Sequence, residues 1–340
     1  MSQERPQIPP PTQILQMATG FWISKVLLSA AELGLFTELG SGPLSYEEIR
    51  RRLNLHPRSA RDFLDALVSV GLLQREGDQY ANSELTAVYL DRARPTYIGG
   101  FLEMCERRLY PFWGRLTDAL RSGVAQNESG GADDFFASIY STPDRLRGFL
   151  QAMTGISKGA AVQIASKFPW DRYRTFADIG CAQGCVPVEL AETHAHLSGI
   201  GFDLAAVGPV FDEFVASRRL SERLRFVAGD FFADPLPQAD VLIMGHILHD
   251  WNLEEKKTLL KKAHDALPSG GSLIVYEALI DDDRRSNTFG LLMSLNMLIE
   301  TPGGFDYTGA DCTGWMKEIG FRETRVEYLD GPDSMVIGVK

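Results

Sequence analysis

TFADIGCAQG, residues Thr175–Gly184, is the stretch that decides the fold, and GIGFDL, residues Gly199–Leu204, extends it. The first stretch has the pattern of a β-strand that runs into a glycine-rich turn and then a helix. The second is a strand that ends on the acid Asp203. An α/β fold builds a nucleotide pocket in this order, because the turn lets backbone approach the ligand and the acid accepts ribose hydroxyls. The sequence therefore predicts an adenosine-containing cofactor.

Strand and helix patterns alternate beyond Arg174, which indicates an open and mostly parallel sheet. The last two strands are close together in the sequence and predict an antiparallel hairpin at one edge, unlike a plain dehydrogenase fold. Seven strands are predicted: 175–179, 199–203, 224–228, 241–244, 272–277, 324–328 and 335–339. Five helices are predicted between them: 186–193, 207–219, 254–266, 288–299 and 308–319.

The N-terminal part has the order of a winged helix. Residues 1–12 predict a flexible arm, and helices are predicted at 13–39, 44–53 and 59–71, before a hairpin at 72–81. Ser45 and Glu48 form a capping-box signature. A winged helix can bind DNA through its arginines, or it can serve packing and dimerisation. Interspersed acids and the formal net charge of −11 favour the second use.

The helices at 111–168 connect this part, residues 13–110, to a predicted catalytic domain at 169–340. The connecting region is rich in aromatic and methionine side chains, which usually form plain core. The less common use is a pocket for a flat aromatic ligand, and Met153 is our candidate for such a contact.

Composition narrows the classes of protein further. No apolar run approaches the ~20 residues of a membrane span, and the polar, proline-rich N-terminus lacks a secretory signal. Four cysteines in 340 residues imply no disulfide framework, which favours a cytoplasmic location. No membrane or nucleic-acid partner is expected.

The acid in the glycine turn indicates which cofactor binds. Asp178 precedes Gly180 and Gly184, and a carboxylate there would repel a pyrophosphate but would favour a cationic amino-acid end. This favours S-adenosylmethionine over NAD. Asp230 and Phe231 follow the third strand of the sheet, where a carboxylate could accept from an adenine amino group and a ring could lie on the base.

The segment MGHILHDWN, Met244–Asn252, directly follows a strand and contains two histidines. His246 and His249 could share a metal, but no further ligand at suitable spacing supports this, and no metal is expected. His249 is better suited as a general base that takes a proton from a hydroxyl. Glu277 and Asp306 are the candidates for a carboxylate that orients its imidazole.

These residues resemble the dimeric S-adenosylmethionine-dependent O-methyltransferases, such as the plant caffeate, vertebrate acetylserotonin and bacterial antibiotic-tailoring enzymes. The resemblance covers nearly the whole chain and is most specific in GFDL, AGDFF, LHDW, the acid of IVYEALI and SLNMLIETPGG. It implies a winged-helix dimerisation domain, a Rossmann-like seven-stranded catalytic domain, a homodimer, and S-adenosylhomocysteine as the cofactor product.

The resemblance also implies roles for individual residues. Those expected to bind the cofactor are Asp178, Gly180 and Gly184 at the methionine part, Asp203 at the ribose, and Asp230 with Phe231 at the adenine. His249 matches the family's base, with Glu277 and Asp306 flanking it, and Asn296 and Met297 match positions that touch the acceptor. The chain departs from the family where Cys181 and Ala182 replace glycines and Gly245 replaces a lysine near the adenine.

The predicted activity is methyl transfer to a hydroxyl of a small aromatic or phenolic molecule in specialised metabolism. A C- or N-methyltransferase, or a relative that has lost methylation, uses the same scaffold and is the alternative. An NAD-dependent oxidoreductase and a DNA-binding regulator are more remote alternatives. The sequence does not identify the acceptor.

Overall fold

The computed structural model describes residues 9–94, 96–128 and 140–340. Most of the predicted flexible arm, residues 1–12, lies outside these ranges. The chain forms two compact units, of which the first ends at Arg107 and the second runs from Arg108 to Lys340.

The first unit is a helical domain with a small three-stranded sheet. Its strands are β1 (Leu44–Ser45), β2 (Leu73–Glu76) and β3 (Gln79–Asn82), in the antiparallel order β1-β3-β2. Its helices are α1 (Thr12–Ala18), α2 (Gly20–Glu32), α3 (Leu35–Glu38), α4 (Tyr46–Arg52), α5 (Ala60–Ser69), α6 (Glu84–Tyr89) and α7 (Gly99–Met104). The predicted capping box is present, since the Ser45 hydroxyl accepts from the Glu48 N–H while Glu48 accepts from the Ser45 N–H. The predicted winged helix is confirmed.

The arginines that a DNA-binding interpretation would use are largely paired with acids. Three such ion pairs join Arg50 to Glu47, Arg52 to Glu38, and Arg61 to Asp78. A paired arginine contributes little net positive charge to a phosphate-binding surface. This surface therefore favours the packing and dimerisation use.

One N-terminal stretch differs from the expectation for apolar runs. Residues 12–32 are long and apolar enough to cross a membrane by length and composition alone. The stretch comprises two helices that meet at Thr19, and six of its large apolar side chains are exposed: Ile14, Leu15, Met17, Phe21, Trp22 and Ile23. An apolar surface of this kind usually marks an interaction site.

The second unit contains a seven-stranded sheet in the order β6-β5-β4-β7-β8-β10-β9. The strands are β4 (Thr175–Ile179), β5 (Ser198–Asp203), β6 (Leu224–Ala228), β7 (Val241–Gly245), β8 (Ser272–Glu277), β9 (Glu323–Tyr328) and β10 (Ser334–Val339). Strands β4 to β8 pair in parallel, whereas β10 is antiparallel to both β8 and β9. The parallel sheet and its antiparallel edge are confirmed.

Helices cover both faces of this sheet. The α-helices described in this unit are α8 (Tyr110–Trp113), α9 (Leu116–Ser122), α10 (Pro143–Lys167), α11 (Cys185–Thr193), α12 (Gly208–Ser217), α13 (Leu253–Ala266), α14 (Thr288–Glu300) and α15 (Gly309–Ile319). Successive strand residues point to opposite faces. Val241 and Ile243 accordingly pack in one core, while Leu242 and Met244 pack in the other. Burial on both faces explains why these strands have continuous apolar sequences.

Candidate active site

The glycine turn connects β4 to α11 through three left-handed backbone conformations. The φ angles are +75° at Gly180, +48° at Ala182 and +95° at Gly184. The Gly180 N–H donates to the Phe202 carbonyl at 2.8 Å, which ties the turn to β5. Gly184 immediately precedes α11, so backbone N–H groups at the start of this helix lie next to the turn.

Substitutions at Ala182 and Gly184 are expected to change the stability of the protein in opposite directions. Glycine at position 182 relieves a left-handed alanine, so Ala182→Gly is expected to raise the free energy of unfolding by up to about 1 kcal/mol. In Gly184→Ala, the new Cβ would lie 2.8 Å from the Phe211 ring, and the alanine would have to adopt an unfavourable left-handed conformation. That variant is expected to lose about 2 kcal/mol. Urea denaturation measures the free energy of unfolding of both variants. An Ala182→Gly protein less stable than wild type would contradict the interpretation that the left-handed conformation of Ala182 is strained.

Asp203 ends β5 and is buried, rather than lying in solvent. Its Oδ2 accepts from the Ala182 N–H at 2.9 Å, and its Oδ1 accepts from the Leu204 N–H at 2.7 Å. Burial raises the pKa of Asp203 to about 6, although both N–H groups act in the opposite direction. Each carboxylate oxygen has two lone pairs, so each can accept a further hydroxyl.

Asp178 is buried in β4 beside this acid. Burial, followed by the charge of Asp203, raises the pKa of Asp178 to about 8. No lysine or arginine is among the described groups that shift the pKa of either carboxyl. A ligand that brings positive charge would therefore stabilise both carboxylates. This environment fits S-adenosylmethionine, which carries a sulfonium and an ammonium group.

Asp230 and Phe231 lie just beyond β6, which neighbours β5 in the sheet. Asp230 is exposed, and its Oδ1 accepts from the Phe232 N–H at 2.8 Å. Phe231 is half-buried, and its ring centroid lies 5.8 Å from that of Trp251. An exposed acid next to an aromatic ring is compatible with the predicted adenine contacts, which stay a prediction.

Gly245 has a specific packing role at the end of β7. A Cβ at this position would lie 2.0 Å from atoms of the Tyr276 ring, because that ring covers the end of β7. The ring of His246 also packs edge-on against Tyr276, with centroids 5.1 Å apart. The sequence indicated that the rim of the predicted adenine pocket differs at Gly245, but it did not indicate that Tyr276 forms part of this rim.

His249 is buried in a short 3₁₀ turn, Leu248–Asp250, directly after β7. Its Nδ1 lies 3.2 Å from Oδ1 of Asp306. Glu277 ends β8, and its Oε1 accepts from the backbone N–H of His249 at 3.1 Å. The structure thus separates the two candidates: Asp306 contacts the imidazole, while Glu277 contacts the backbone of the turn.

The carboxylates around His249 change its protonation. Burial lowers the pKa of His249, but the charges of Asp306, Asp250 and Glu277 outweigh burial and raise it to about 10. The sequence alone predicted a pKa near neutrality for this imidazole. Asp250, whose Oδ1 lies 3.7 Å from Nε2 of His249, was missed although it is the next residue of the same motif.

His246 and His249, whose spacing could have allowed them to share a metal, lie close together in the structure. Their ring centroids are 5.9 Å apart, and burial, followed by the charge of His249, lowers the pKa of His246 to about 3. A different group has compatible geometry, since ligand atoms of His249, Glu277 and Asp306 all lie within 4.8 Å of one another. The sequence predicted that Glu277 and Asp306 flank His249, but it did not indicate that the three could bind a metal, because they come from separate strands and loops.

Chelation distinguishes a metal site from an acid–base site at this cluster. Neutral imidazole and two carboxylates can bind a cation, and the same groups can act as a general base with the acids that orient it. We expect dialysis against EDTA to leave methyl-transfer activity unchanged. Loss of activity on dialysis, with recovery on addition of one divalent metal, would contradict this expectation.

The three predicted acceptor-contacting residues have different environments. Asn296 is buried, and its side-chain amide is engaged at both ends: Oδ1 accepts from Nε1 of Trp113 at 2.8 Å, and Nδ2 donates to Glu300 at 2.8 Å. Met297 is also buried, and Met153 is half-buried. The geometry supports a structural role for Asn296, and the predicted acceptor contacts stay predictions.

The strand order and the buried acids define a class of protein. A seven-stranded sheet with one antiparallel strand inserted at its edge, and with an acid ending the strand beside the glycine turn, is the Rossmann-like methyltransferase arrangement. The chain belongs to the O-methyltransferase family. The model of the O-methyltransferase domain matches residues 113–322, and that of the O-methyltransferase dimerisation domain matches residues 15–92.

Relatives with similarity along their whole length support this assignment. The chain is 45% identical over 331 residues to the tetracenomycin polyketide synthesis 8-O-methyl transferase TcmO of Streptomyces glaucescens, covering 97% of each chain. It is 36% identical over 330 residues to the N,N-dimethyltransferase OxyT of Streptomyces rimosus, covering 96% of each. The crystal structure of human N-acetylserotonin methyltransferase with SAM superposes with a TM-score of 0.89, at 29% identity and 99% coverage of each chain. The predictions of fold, family and S-adenosylmethionine-dependent O-methyltransferase class are confirmed.

Proposed function

We propose that this protein transfers a methyl group from S-adenosylmethionine to a hydroxyl of an aromatic polyketide, with His249 as the general base. The observation that carries the proposal is the contact of 3.2 Å between Nδ1 of the buried His249 and Asp306. A carboxylate on Nδ1 leaves Nε2 as the nitrogen that accepts the proton of a substrate hydroxyl.

Each residue of the site has a separate role in the reaction. When bound, S-adenosylmethionine supplies a methyl group that its sulfonium has already activated. Asp203 accepts the ribose hydroxyls, and Asp178 balances the positive charge of the cofactor. Asp306 orients the imidazole of His249, and Glu277 fixes the backbone that carries it. Methyl transfer then requires that the acceptor oxygen lie in line with the methyl carbon and the sulfur, which is mainly a positioning task.

Transfer to nitrogen is the second candidate, and the similarity to OxyT favours it. Two matched acceptors distinguish the possibilities: a hydroxyanthraquinone and the corresponding aminoanthraquinone, each incubated with methyl-labelled S-adenosylmethionine. We expect label in the hydroxy compound and its loss on ether cleavage. Label found only in the amine, or retained on the ring after cleavage, would contradict hydroxyl transfer.

The assembly and location belong to the same proposal. Five of the six exposed apolar side chains of α1 and α2, all but Ile14, lie in the region that matches the dimerisation domain, so we propose that a second copy covers this surface in a homodimer. Burying large apolar side chains gives about 1.5–3 kcal/mol each, which offsets the cost of exposing them in one chain. A cytoplasmic location is consistent with this arrangement and stays a prediction.

A further inference from the structure

Lys256 is the one lysine or arginine that is fully buried within the described residues. It lies in the first turn of α13, and helical periodicity places it on the same stripe as Leu259, Leu260 and Ala263, which are buried too. Lysine is almost never fully buried unless its ammonium group has partners. Its position therefore requires an explanation beyond packing.

The ammonium group of Lys256 contacts both segments that carry the acid–base pair. Nζ donates to the carbonyl of Trp251, two residues after His249. The same Nζ lies 3.6 Å from the centroid of the Phe305 ring and 5.6 Å from that of Tyr307. These two aromatic residues flank Asp306 on either side, so one cation contacts the neighbours of both members of the pair.

The two segments are also in direct backbone contact. A Cβ at Gly304 would lie 2.5 Å from the carbonyl oxygen of His249 and 2.8 Å from the carbonyl carbon of Asp250. Only glycine permits this approach. Lys256 therefore lies at the junction of two closely packed loops, one of which carries His249 and the other Asp306.

Charged groups from several elements face this ammonium. Burial lowers the pKa of Lys256 to about 8, while Glu277, Asp306, Asp250 and Glu255 act to raise it. Three of these four acids are also the groups that raise the pKa of His249. A positive charge beside them partly offsets their field at the imidazole.

We infer that Lys256 is a positioning residue for the methyl-transfer reaction, which joins the His249 turn to the Asp306 segment and places a positive charge beside the acids around the imidazole. This inference rests on the proposed role of His249 as the base. It assigns Lys256 no contact with substrate or cofactor.

The test compares Lys256→Met with Lys257→Met in the full-length protein. Lys257 is the adjacent residue of the same helix, and its Nζ forms an exposed ion pair with Glu318 at 2.8 Å, so it is a matched control. Two readouts are needed: the NMR titration of the imidazoles in histidine-labelled protein, with His249 assigned by its loss in His249→Ala, and steady-state kinetics. The titration needs no acceptor.

Removal of the positive charge is expected to raise the pKa of His249 by about one unit in Lys256→Met, and this outweighs any loosening of the Asp306 contact because Asp250 and Glu277 stay beside the imidazole. We also expect kcat at neutral pH to fall about tenfold, with the KM for S-adenosylmethionine changed less than about threefold. Lys257→Met should match wild type in both readouts. Lys256→Arg, which keeps the charge, should keep the wild-type titration and provides a test if the methionine variant does not fold.

Three results would overturn the inference. The first is an unchanged His249 titration in folded Lys256→Met. The second is a parallel loss of kcat, cofactor affinity and melting temperature without a shift of that titration, which would indicate a packing role. The third is a shift of the titration in Lys256→Arg. Failure of the proposed function would give a different result, because wild-type protein would then methylate no acceptor. The titration of His249 would still test the role of Lys256.

Discussion

Replacement of His249 by alanine is expected to lower kcat by about 10²–10⁴-fold, the usual contribution of a general base. Binding of S-adenosylhomocysteine should change little, because the residues assigned to the cofactor lie on β4, β5 and the segment after β6. Initial rates with the true acceptor and calorimetry with S-adenosylhomocysteine measure the two effects separately.

The pH dependence gives this prediction a sign. Proton abstraction requires the neutral imidazole, and the raised pKa of about 10 means that ligand-free protein holds His249 protonated at neutral pH. We therefore expect kcat/KM to rise with pH from neutrality toward that value, and the rise to disappear in His249→Ala. Since the folded pKa exceeds the ordinary value of 6.5, the stabilisation from protonated His249 is complete below pH 6.5 and is lost as the pH rises through about 10.

A control and a contradictory outcome complete the test. His56 is exposed in the first unit, and His56→Ala should retain wild-type rates and pH dependence. An unchanged turnover in His249→Ala with the true acceptor would contradict the assignment of the base. An unchanged pH profile with reduced turnover would show that His249 acts without gaining a proton.

Replacement of Asp203 by alanine should weaken binding of S-adenosylhomocysteine by about 100-fold, since hydrogen bonds to a charged group contribute about 1.5–3 kcal/mol each. The variant also leaves the N–H groups of Ala182 and Leu204 without this acceptor. The glycine turn then loses one of its ties to β5. Calorimetry measures the affinity, and circular dichroism establishes that the protein is folded.

Two variants separate ligand binding from loop anchoring. Asp203→Asn keeps one acceptor oxygen and the side-chain shape, so its affinity should lie between those of wild type and the alanine variant. Asp212→Ala removes an exposed acid of α12 and should behave as wild type. Wild-type affinity in a folded Asp203→Ala protein would disprove the ribose-binding role.

The sheet could be predicted because its signals are local. Apolar runs of five or six residues separated by helical patterns specify buried parallel strands. The predicted strand 224–228 coincides with β6, and 272–277 coincides with β8. The long predicted helix at 13–39 is instead divided into three helices, with breaks at Thr19 and at Leu33 and Gly34. Gly34 there has a left-handed φ of +72°.

The site was only partly predictable because its decisive contacts join residues distant in the sequence. The sequence made Glu277 and Asp306 candidates for the carboxylate that orients His249 but did not indicate which acid contacts the imidazole. Their summed charge, which raises the pKa of His249, depends on distances in the folded chain. Lys256 gave a weak signal, as a lysine on an otherwise apolar helical stripe, and its contacts with Trp251 and Phe305 required the structure.

Isothermal titration calorimetry of the folded protein with three adenosine-containing compounds tests most directly whether the buried carboxylates of β4 and β5 determine which cofactor binds. The account predicts heats of association for S-adenosylmethionine and S-adenosylhomocysteine, and none for NADH at the same concentration. Heat with NADH, and none with either adenosyl compound, would contradict it.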